Sequence, residues 1–208
     1  GAGSPALLRQ VGAEGHEVCP HGYDHVGWQD RIHRMSPVEI EQDLELAVTA
    51  YRAVFGRQPS ATAAPGWRCT DHGLAVQDRF GFLYASDVRG AGPFWPVHQG
   101  IPLHTLQIPT TLPTVDEILG STRDVVGALS RSIKPGLNVL TVHAEVEGGA
   151  LLDPFDRFLA GLLSRGARVF PLGEAAKDLL TDGREFPRLP VIRGRVPGRS
   201  GWVAMQGD

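Results

Sequence analysis

The sequence predicts an α/β fold built on a parallel sheet or barrel, and three observations support this prediction. Stretches typical of strands alternate with stretches typical of helices along most of the chain. The run LNVLTVHAE at residues 137–145 is strongly apolar, as expected of a strand that is buried on both faces. The chain has 208 residues, 42% of them hydrophobic, which suits one domain with a sizeable core. We therefore predict a single domain over residues 1–208.

The predicted elements follow one another in chain order. A helix-like segment at residues 1–15 leads into a short strand at 16–21. The clearest helix has Ser36 as its N-cap, Glu39 to close a capping box and Gly56 at its end. Further strands are predicted at residues 60–66, 82–88, 105–111, 137–145 and 167–173. Further helices are predicted at residues 71–81, 114–133, 152–166 and 174–180. Residues 90–104 are predicted to be a loop, and no element is predicted from residue 184 onward.

Composition and charge exclude some classes of function. The net charge of -3 provides no basic surface of the kind that binds nucleic acid. No apolar run reaches the roughly 18–20 residues that a membrane-spanning helix needs. The two cysteines, Cys19 and Cys69, do not form a disulfide framework, so a reducing compartment is expected.

Two histidines follow the first predicted strand, where the loops of α/β folds carry function. His21 and His25 are four residues apart, so both could bind one metal ion if the chain turns into a helix there. The alternative is one surface histidine and one core histidine. Asp24 would point away on a helical turn, and a zinc-like site would still need a third ligand.

Three more candidates lie at the ends of later predicted strands. His143 could act as a general acid, or it could be a core histidine with its hydrogen bonds satisfied. Asp87 could orient His143 and raise its pKa. Arg68 could hold a carboxylate or phosphate in a bidentate contact, or it could be a structural ion-pair partner.

Taken in order, these motifs resemble the NodB-homology polysaccharide deacetylase superfamily. The motifs are H-x3-H at His21 and His25, an Arg motif at Arg68, an Asp motif at Asp87, and L-x-x-H ending at His143. The runs GHEVCPHGYDHVGWQ, APGWRCTD, YASDVRGAGPFWP, QIPTTLPTVDEI and TVHAEVEG resemble more closely the bacterial deformylases that act on undecaprenyl-phosphate 4-deoxy-4-formamido-L-arabinose. Those enzymes belong to the lipid A modification pathway behind polymyxin resistance.

The resemblance implies a distorted (β/α) barrel and a metal-dependent hydrolysis of a formamide bond. His21 and His25 would bind a divalent ion of the Zn, Co or Mn class. His143 would protonate the leaving amine, Asp87 would tune His143, and Arg68 would hold the catalytic base. The substrate would be a polyprenyl-phosphate-linked amino sugar, met in the cytoplasm at the inner membrane of a bacterium.

The sequence departs from the family at its start. Members open with a strand carrying two aspartates, one a metal ligand and the other the general base, and no D-x-D lies upstream of His16. The resemblance therefore implies that the first βα unit is absent, and we expect weak metal binding and little or no turnover.

Two other functions remain open, and so does the role of one loop. The chain could be a polysaccharide or peptidoglycan N-deacetylase of the same superfamily, or a non-catalytic protein that binds a sugar lipid. Phe94, Trp95 and Val97, in the predicted loop, could meet a polyprenyl chain or the membrane surface, where tryptophan is favoured. The alternative is a loop packed on its own barrel.

Overall fold

A computed structural model describes residues 3–208, and it contains α-helices, a parallel sheet and a mixed sheet. The helices are α1 (Pro5–Ala13), α2 (His25–Arg31), α3 (Pro37–Phe55), α4 (Asp71–Asp78), α5 (Val115–Ile118), α6 (Val125–Ser132), α7 (Leu152–Leu163) and α8 (Leu172–Thr181). Every helix that the sequence predicts is therefore present, and the predicted helix at residues 114–133 is divided into α5 and α6.

The strands form two sheets. They are β1 (Ala61–Thr62), β2 (Tyr84–Ala85), β3 (Trp95–His98), β4 (Ile101–Pro102), β5 (Leu106–Gln107), β6 (Arg188–Gly194) and β7 (Val203–Gln206). Strands β1, β2 and β5 pair in parallel, as the βα alternation predicts. The second sheet has the order β4-β3-β6-β7 and contains both parallel and antiparallel pairs.

Local signals account for the longest helix. The Ser36 side chain accepts a hydrogen bond from the Glu39 amide, and the Glu39 carboxylate accepts one from the Ser36 amide, so the predicted capping box is present. Gly56 ends the helix with a φ of 67°, a left-handed conformation that glycine adopts without a steric penalty. The buried stripe of α3 matches the apolar period of the sequence and consists of Ile40, Leu44, Ala47, Val48 and Tyr51.

Three of the predicted strands are absent. Residues 16–21, 137–143 and 167–170 have no regular secondary structure in the part of the chain that is described. The segment 137–143 is only half-buried along most of its length, instead of fully buried as its composition predicts. It borders a groove of about 810 Å³ that it shares with residues 166–170. A strand requires a hydrogen-bonded neighbour, and an apolar composition does not supply one.

The prediction of a loop at residues 90–104 is wrong. β3 and β4 form a hairpin there, joined at Gln99 and Gly100, which both have positive φ. Phe94 is fully buried in the core, and the Trp95 ring packs edge-on against Phe186 at 6.4 Å between centroids. The side chains of Phe94 and Trp95 therefore pack against the protein itself. This agrees with the alternative expectation, in which the segment packs on its own barrel.

The C-terminal residues, for which no element is predicted, form β6 and β7. The residue just before β7 packs against α2 and the residue that follows it. Trp202, just before β7, contacts the apolar cluster that includes Trp28 and Ile32. It also contacts the cluster that includes Ala64 and Cys69. Within residues 3–208 no helix is long and apolar enough to cross a bilayer.

Candidate active site

His21 and His25 lie together at the start of α2. The Asp24 side chain caps α2 by accepting a hydrogen bond from the Gly27 amide at 2.9 Å, and the helix begins at His25. The two imidazole rings are 5.1 Å apart between centroids, with their planes 55° apart. Asp24 is occupied by the cap and by Arg31, at 3.3 Å, so it does not join the two histidines.

The His21 ring is held in one orientation by the backbone. Its Nδ1 lies 2.7 Å from the Ala63 carbonyl oxygen, which can only accept, so Nδ1 carries the proton and Nε2 carries a free lone pair. One edge of the ring reaches solvent, yet the surrounding protein desolvates it and lowers its pKa from the ordinary histidine value. The hydrogen bond to Ala63 opposes this shift, and nearby His25 and His143 add to it. A neutral imidazole with a free Nε2 is the form that binds metals.

His143 belongs to the same group of imidazoles. It is near enough to His21 to lower the pKa of that ring, although the two residues are far apart in sequence. Its backbone amide donates a 2.7 Å hydrogen bond to the side chain of Glu147, four residues further along the chain. The Glu147 side chain is buried. The hydrogen bond to Glu147 thus stabilises the turn that follows His143. The His143 ring itself makes no hydrogen bond to other protein atoms within residues 3–208.

The expected contact between Asp87 and His143 is absent. Asp87 is completely buried, and its Oδ2 accepts hydrogen bonds from the side-chain amides of Gln77 and Gln107 at 2.7 and 2.8 Å. No hydrogen bond joins it to His143 in the described part of the chain, and its Oδ1 is buried without a partner. The two glutamines come from different elements, Gln77 from α4 and Gln107 from β5, which pairs with β2.

Arg68 lies beside the helix that carries His25. Its backbone carbonyl accepts a 2.7 Å hydrogen bond from the indole of Trp28, in α2. Its Cζ stands 4.6 Å from the centroid of the Trp202 ring, and its Nε is buried with no acceptor. Burial lowers the pKa of Arg68, and nearby Arg199 lowers it further. The guanidinium is thus held in place with an unused donor.

The residues present could supply part of a metal site. His21 and His25 each carry imidazole nitrogens that can bind an ion, and the hydrogen bond from His21 to Ala63 is the kind of outer contact that orients such ligands in metalloproteins. Within residues 3–208 no group of three or more His, Cys, Asp or Glu side chains is arranged to hold an ion. The two histidines therefore fit part of the ligand set of a catalytic metal, which usually has three protein ligands.

Comparison with known proteins gives the context for this site. The family model described as polysaccharide deacetylase matches residues 2–85. A Shewanella sediminis protein named "Probable 4-deoxy-4-formamido-L-arabinose-phosphoundecaprenol deformylase ArnD" is 32% identical over 205 residues, which are 96% of this chain and 65% of that protein. A Wigglesworthia glossinidia brevipalpis protein of the same name is 32% identical over 200 residues, covering 92% of this chain and 68% of that protein. This chain belongs to the polysaccharide deacetylase family.

The fold of this chain agrees with those of solved structures. PuuE allantoinase superposes with a TM-score of 0.67 at 21% identity, covering 86% of this chain and 64% of that one. A family 4 acetyl xylan esterase from Clostridium thermocellum, solved with a cobalt ion, superposes with a TM-score of 0.58 at 16% identity, covering 88% and 73%. The predicted α/β fold of the distorted-barrel type is thereby confirmed.

One contributor to the candidate site is not predicted from the sequence. Asp43, in the middle of α3, accepts hydrogen bonds from the backbone amides of Tyr23 and Asp24 at 2.9 and 3.1 Å. These two amides belong to the loop between His21 and His25, so Asp43 fixes the separation of the two histidines. A polar residue in an amphipathic helix carries no signal of such a role, because helix surfaces are polar in general.

The buried carboxyl of Asp87 gives the stability of this protein an expected pH dependence. Burial raises the pKa of Asp87 above that of the unfolded chain, although the two glutamine amides oppose the shift. Its contribution to stability is therefore present below the unfolded pKa of about 3.9, and it is lost as the pH rises through the folded value. Because Asn does not titrate, Asp87→Asn should become more stable relative to the parent chain as the pH rises from 4 to 7.

The size of this effect is about 1.4 kcal/mol for each unit by which folding raises the pKa of Asp87. Urea unfolding of both chains across the pH range measures it. Asp182→Asn is the matched control, because the Asp182 side chain is 67% exposed. A difference between the Asp87 variant and its parent that stays constant with pH would contradict the prediction.

Proposed function

We propose that this chain hydrolyses the formamide bond of a polyprenyl-phosphate-linked 4-formamido sugar with the help of a divalent metal ion. Two relatives at 32% identity are named as deformylases of such a lipid-linked sugar, and they match almost all of this chain. The observation that carries the proposal is the pair His21 and His25, with the His21 Nε2 left free by the Ala63 hydrogen bond and His143 nearby.

Each residue has a proposed role in that reaction. His21 and His25 would hold the ion, which when bound would polarise the formyl oxygen and lower the pKa of a water molecule. His143 would donate a proton to the amine nitrogen as the C–N bond breaks. Arg68, with its unpartnered Nε, would hold the carboxylate that acts as general base. Asp87 would influence His143 only through the electric field, because no hydrogen bond connects the two side chains in residues 3–208.

The lipid-linked substrate in the names of the relatives supports a peripheral position at the cytoplasmic face of an inner membrane. A metal of the Zn, Co or Mn class is supported by the nitrogen donors of the two histidines. The solved acetyl xylan esterase with a cobalt ion is consistent with that class.

Release of formate from a short-chain polyprenyl-phosphate ester of 4-formamido-arabinose tests the proposal. We expect release to depend on added Zn²⁺, Co²⁺ or Mn²⁺ and to be slow, since two imidazoles are one ligand short of the usual catalytic set. His143→Gln should lower kcat by a further factor of about 10² to 10⁴, the usual contribution of a general acid, while metal affinity stays unchanged.

The acetamido analogue and a binding measurement distinguish the other functions. Cleavage of the acetamido compound alone would assign the chain as an N-deacetylase instead. Binding of both sugars without release of formate or acetate would favour a non-catalytic sugar-lipid binding protein. His72→Gln is the control for His143→Gln, because the His72 ring contacts the Met35 carbonyl and lies outside the proposed site. It should leave the release of formate unchanged.

A further inference from the structure

Four arginines surround two tryptophans beside α2, and we call this set the Arg–Trp cluster (Trp67, Arg68, Arg89, Arg193, Arg199 and Trp202). The Cζ atoms of Arg68 and Arg193 each lie 4.6 Å from the centroid of the Trp202 ring. Those of Arg89 and Arg199 lie 4.8 and 4.6 Å from the centroid of the Trp67 ring. Trp67 and Arg68 are adjacent in sequence, and Arg193 and Arg199 both lie near enough to Arg68 to lower its pKa, so the two stacks lie beside each other.

The cluster contains more positive than negative charge. Arg89 forms a 2.6 Å ion pair with Glu117, and both side chains are almost completely buried. Arg199 has only a loose pair with Asp116, at 3.7 Å, which is too long for a hydrogen bond. Arg193 has no carboxylate within ion-pair distance in residues 3–208. Like charges repel at such short range, so this arrangement favours an anion.

The unused hydrogen-bond donors point the same way. The Arg199 side chain is only 20% exposed, yet neither Arg199 nor Arg193 donates a side-chain hydrogen bond to the protein in the described residues. A guanidinium carries five N–H donors, and those of the exposed Arg193 and the largely covered Arg199 are free to bond to a ligand. The planar arrangement of these donors matches the oxygens of a phosphate group.

A close backbone contact positions the loop that carries Arg199. This loop runs from β6 to β7 and approaches the backbone of Glu117 at Gly198, where a Cβ atom would clash with the Glu117 carbonyl. Gly198 also has a φ of 81°, which favours glycine. The next residue along the chain is Arg199, whose guanidinium stacks on Trp67.

The cluster lies close to the histidine pair. Ala63, which orients His21, and Arg68 are five residues apart, so their Cα atoms are at most about 17 Å from each other. A sugar whose formamido group lies at the histidines would extend its other end towards the cluster. Arg68 has the proposed role of holding the catalytic base, and Arg89 is paired with Glu117. The arginines that remain available to a ligand are therefore Arg193 and Arg199.

We propose that Arg193 and Arg199, stacked on Trp202 and Trp67, bind the phosphodiester of the lipid-linked sugar by charge-assisted hydrogen bonds. This inference rests on the proposed function and names the residues that recognise the phosphate. The site would select a substrate whose sugar is joined to its lipid through a phosphate over a neutral glycoside of the same sugar.

Binding of two probes by calorimetry tests the proposal independently of turnover. The probes are a short-chain isoprenyl phosphodiester of 4-formamido-arabinose and the neutral octyl glycoside of the same sugar. The parent chain should prefer the phosphodiester by roughly 10-fold or more, and added salt should reduce this preference. The double variant Arg193→Gln/Arg199→Gln should lower the ratio to about one.

Two further variants keep the result interpretable. Arg195→Gln removes an exposed arginine of the same loop that stacks on neither tryptophan, and it should keep the preference. Arg193→Lys/Arg199→Lys keeps both charges without the planar donors and should give an intermediate ratio. Thermal unfolding identifies any variant whose fold is lost. If the glutamine pair does not fold, the ratio measured for Arg193→Lys/Arg199→Lys tests the proposal in its place.

Several outcomes would overturn the proposal. A preference that survives in the glutamine pair, or none in the parent chain, means that the cluster is only a structural stack. Inorganic phosphate or phosphatidylglycerol vesicles that bind as tightly as the phosphodiester would show a general anion site. If formate is released from neither probe while the phosphodiester preference persists, the proposed deformylation fails and the anion site stands.

Discussion

Replacing His21 with alanine is expected to abolish useful metal binding, with a loss of affinity of about 100-fold or more. Changes in the outer contacts of a metal site already cost 10- to 100-fold, and removing a ligand nitrogen should cost at least as much. His21 is one of two imidazoles in the site, and its Nε2 is left free by the Ala63 hydrogen bond. Titration with Co²⁺, followed by visible absorption and calorimetry, measures the change.

The control for this experiment is His33→Ala. His33 is an exposed residue just after α2, so its removal changes the histidine count without touching the pair. It should leave the affinity for Co²⁺ unchanged, and His25→Ala should match the loss seen for His21→Ala. Equal affinities in the parent chain and in both ligand variants would refute the assignment of the metal to this pair.

Glu117→Ala is expected to destabilise the fold by roughly 3–5 kcal/mol, the usual cost of removing one partner of a buried ion pair. The Arg89 and Glu117 side chains are 8% and 1% exposed, so the change leaves a buried guanidinium without its counter-charge. Glu117 also accepts a hydrogen bond from the Thr114 amide at 3.0 Å, which is lost as well. For a domain of this size the Tm should fall by about 10 °C.

An exposed ion pair provides the matched control. Asp182 and Arg184 are 3.5 Å apart and are 67% and 60% exposed, so Asp182→Ala should change stability by less than about 0.5 kcal/mol. The double variant Arg89→Met/Glu117→Leu should recover most of the loss, since apolar side chains can replace a buried pair. Urea unfolding gives these free energies, and a Glu117→Ala change as small as the control would rule out a structural role for the pair.

The helices were predictable because their signals are local. The capping box at Ser36 and Glu39 and the stop at Gly56 lie within the helix itself or beside it. The strands were less predictable because pairing depends on distant residues. The run at 137–145 has the composition of a buried strand, but no ladder forms there. The hairpin of β3 and β4 was missed because prolines argue against strands.

The candidate site was also only partly predictable from the sequence. The spacing of His21 and His25 was visible in the sequence, and the structure brings the two rings together. The strand predicted just before them, at residues 16–21, does not form. The direction of the Asp87 carboxylate was not visible, since it depends on glutamines from α4 and β5. The contact from Asp43 to the histidine loop was also not visible.

The sequence by itself determined the α/β class, the helices and the pair of histidines four residues apart, because each depends on residues close along the chain. Only the tertiary structure decided that His143 lies near His21 and that the C-terminal arginines stack beside α2. Those contacts join residues whose proximity is set by packing and by buried hydrogen bonds, and no local pattern encodes such distances.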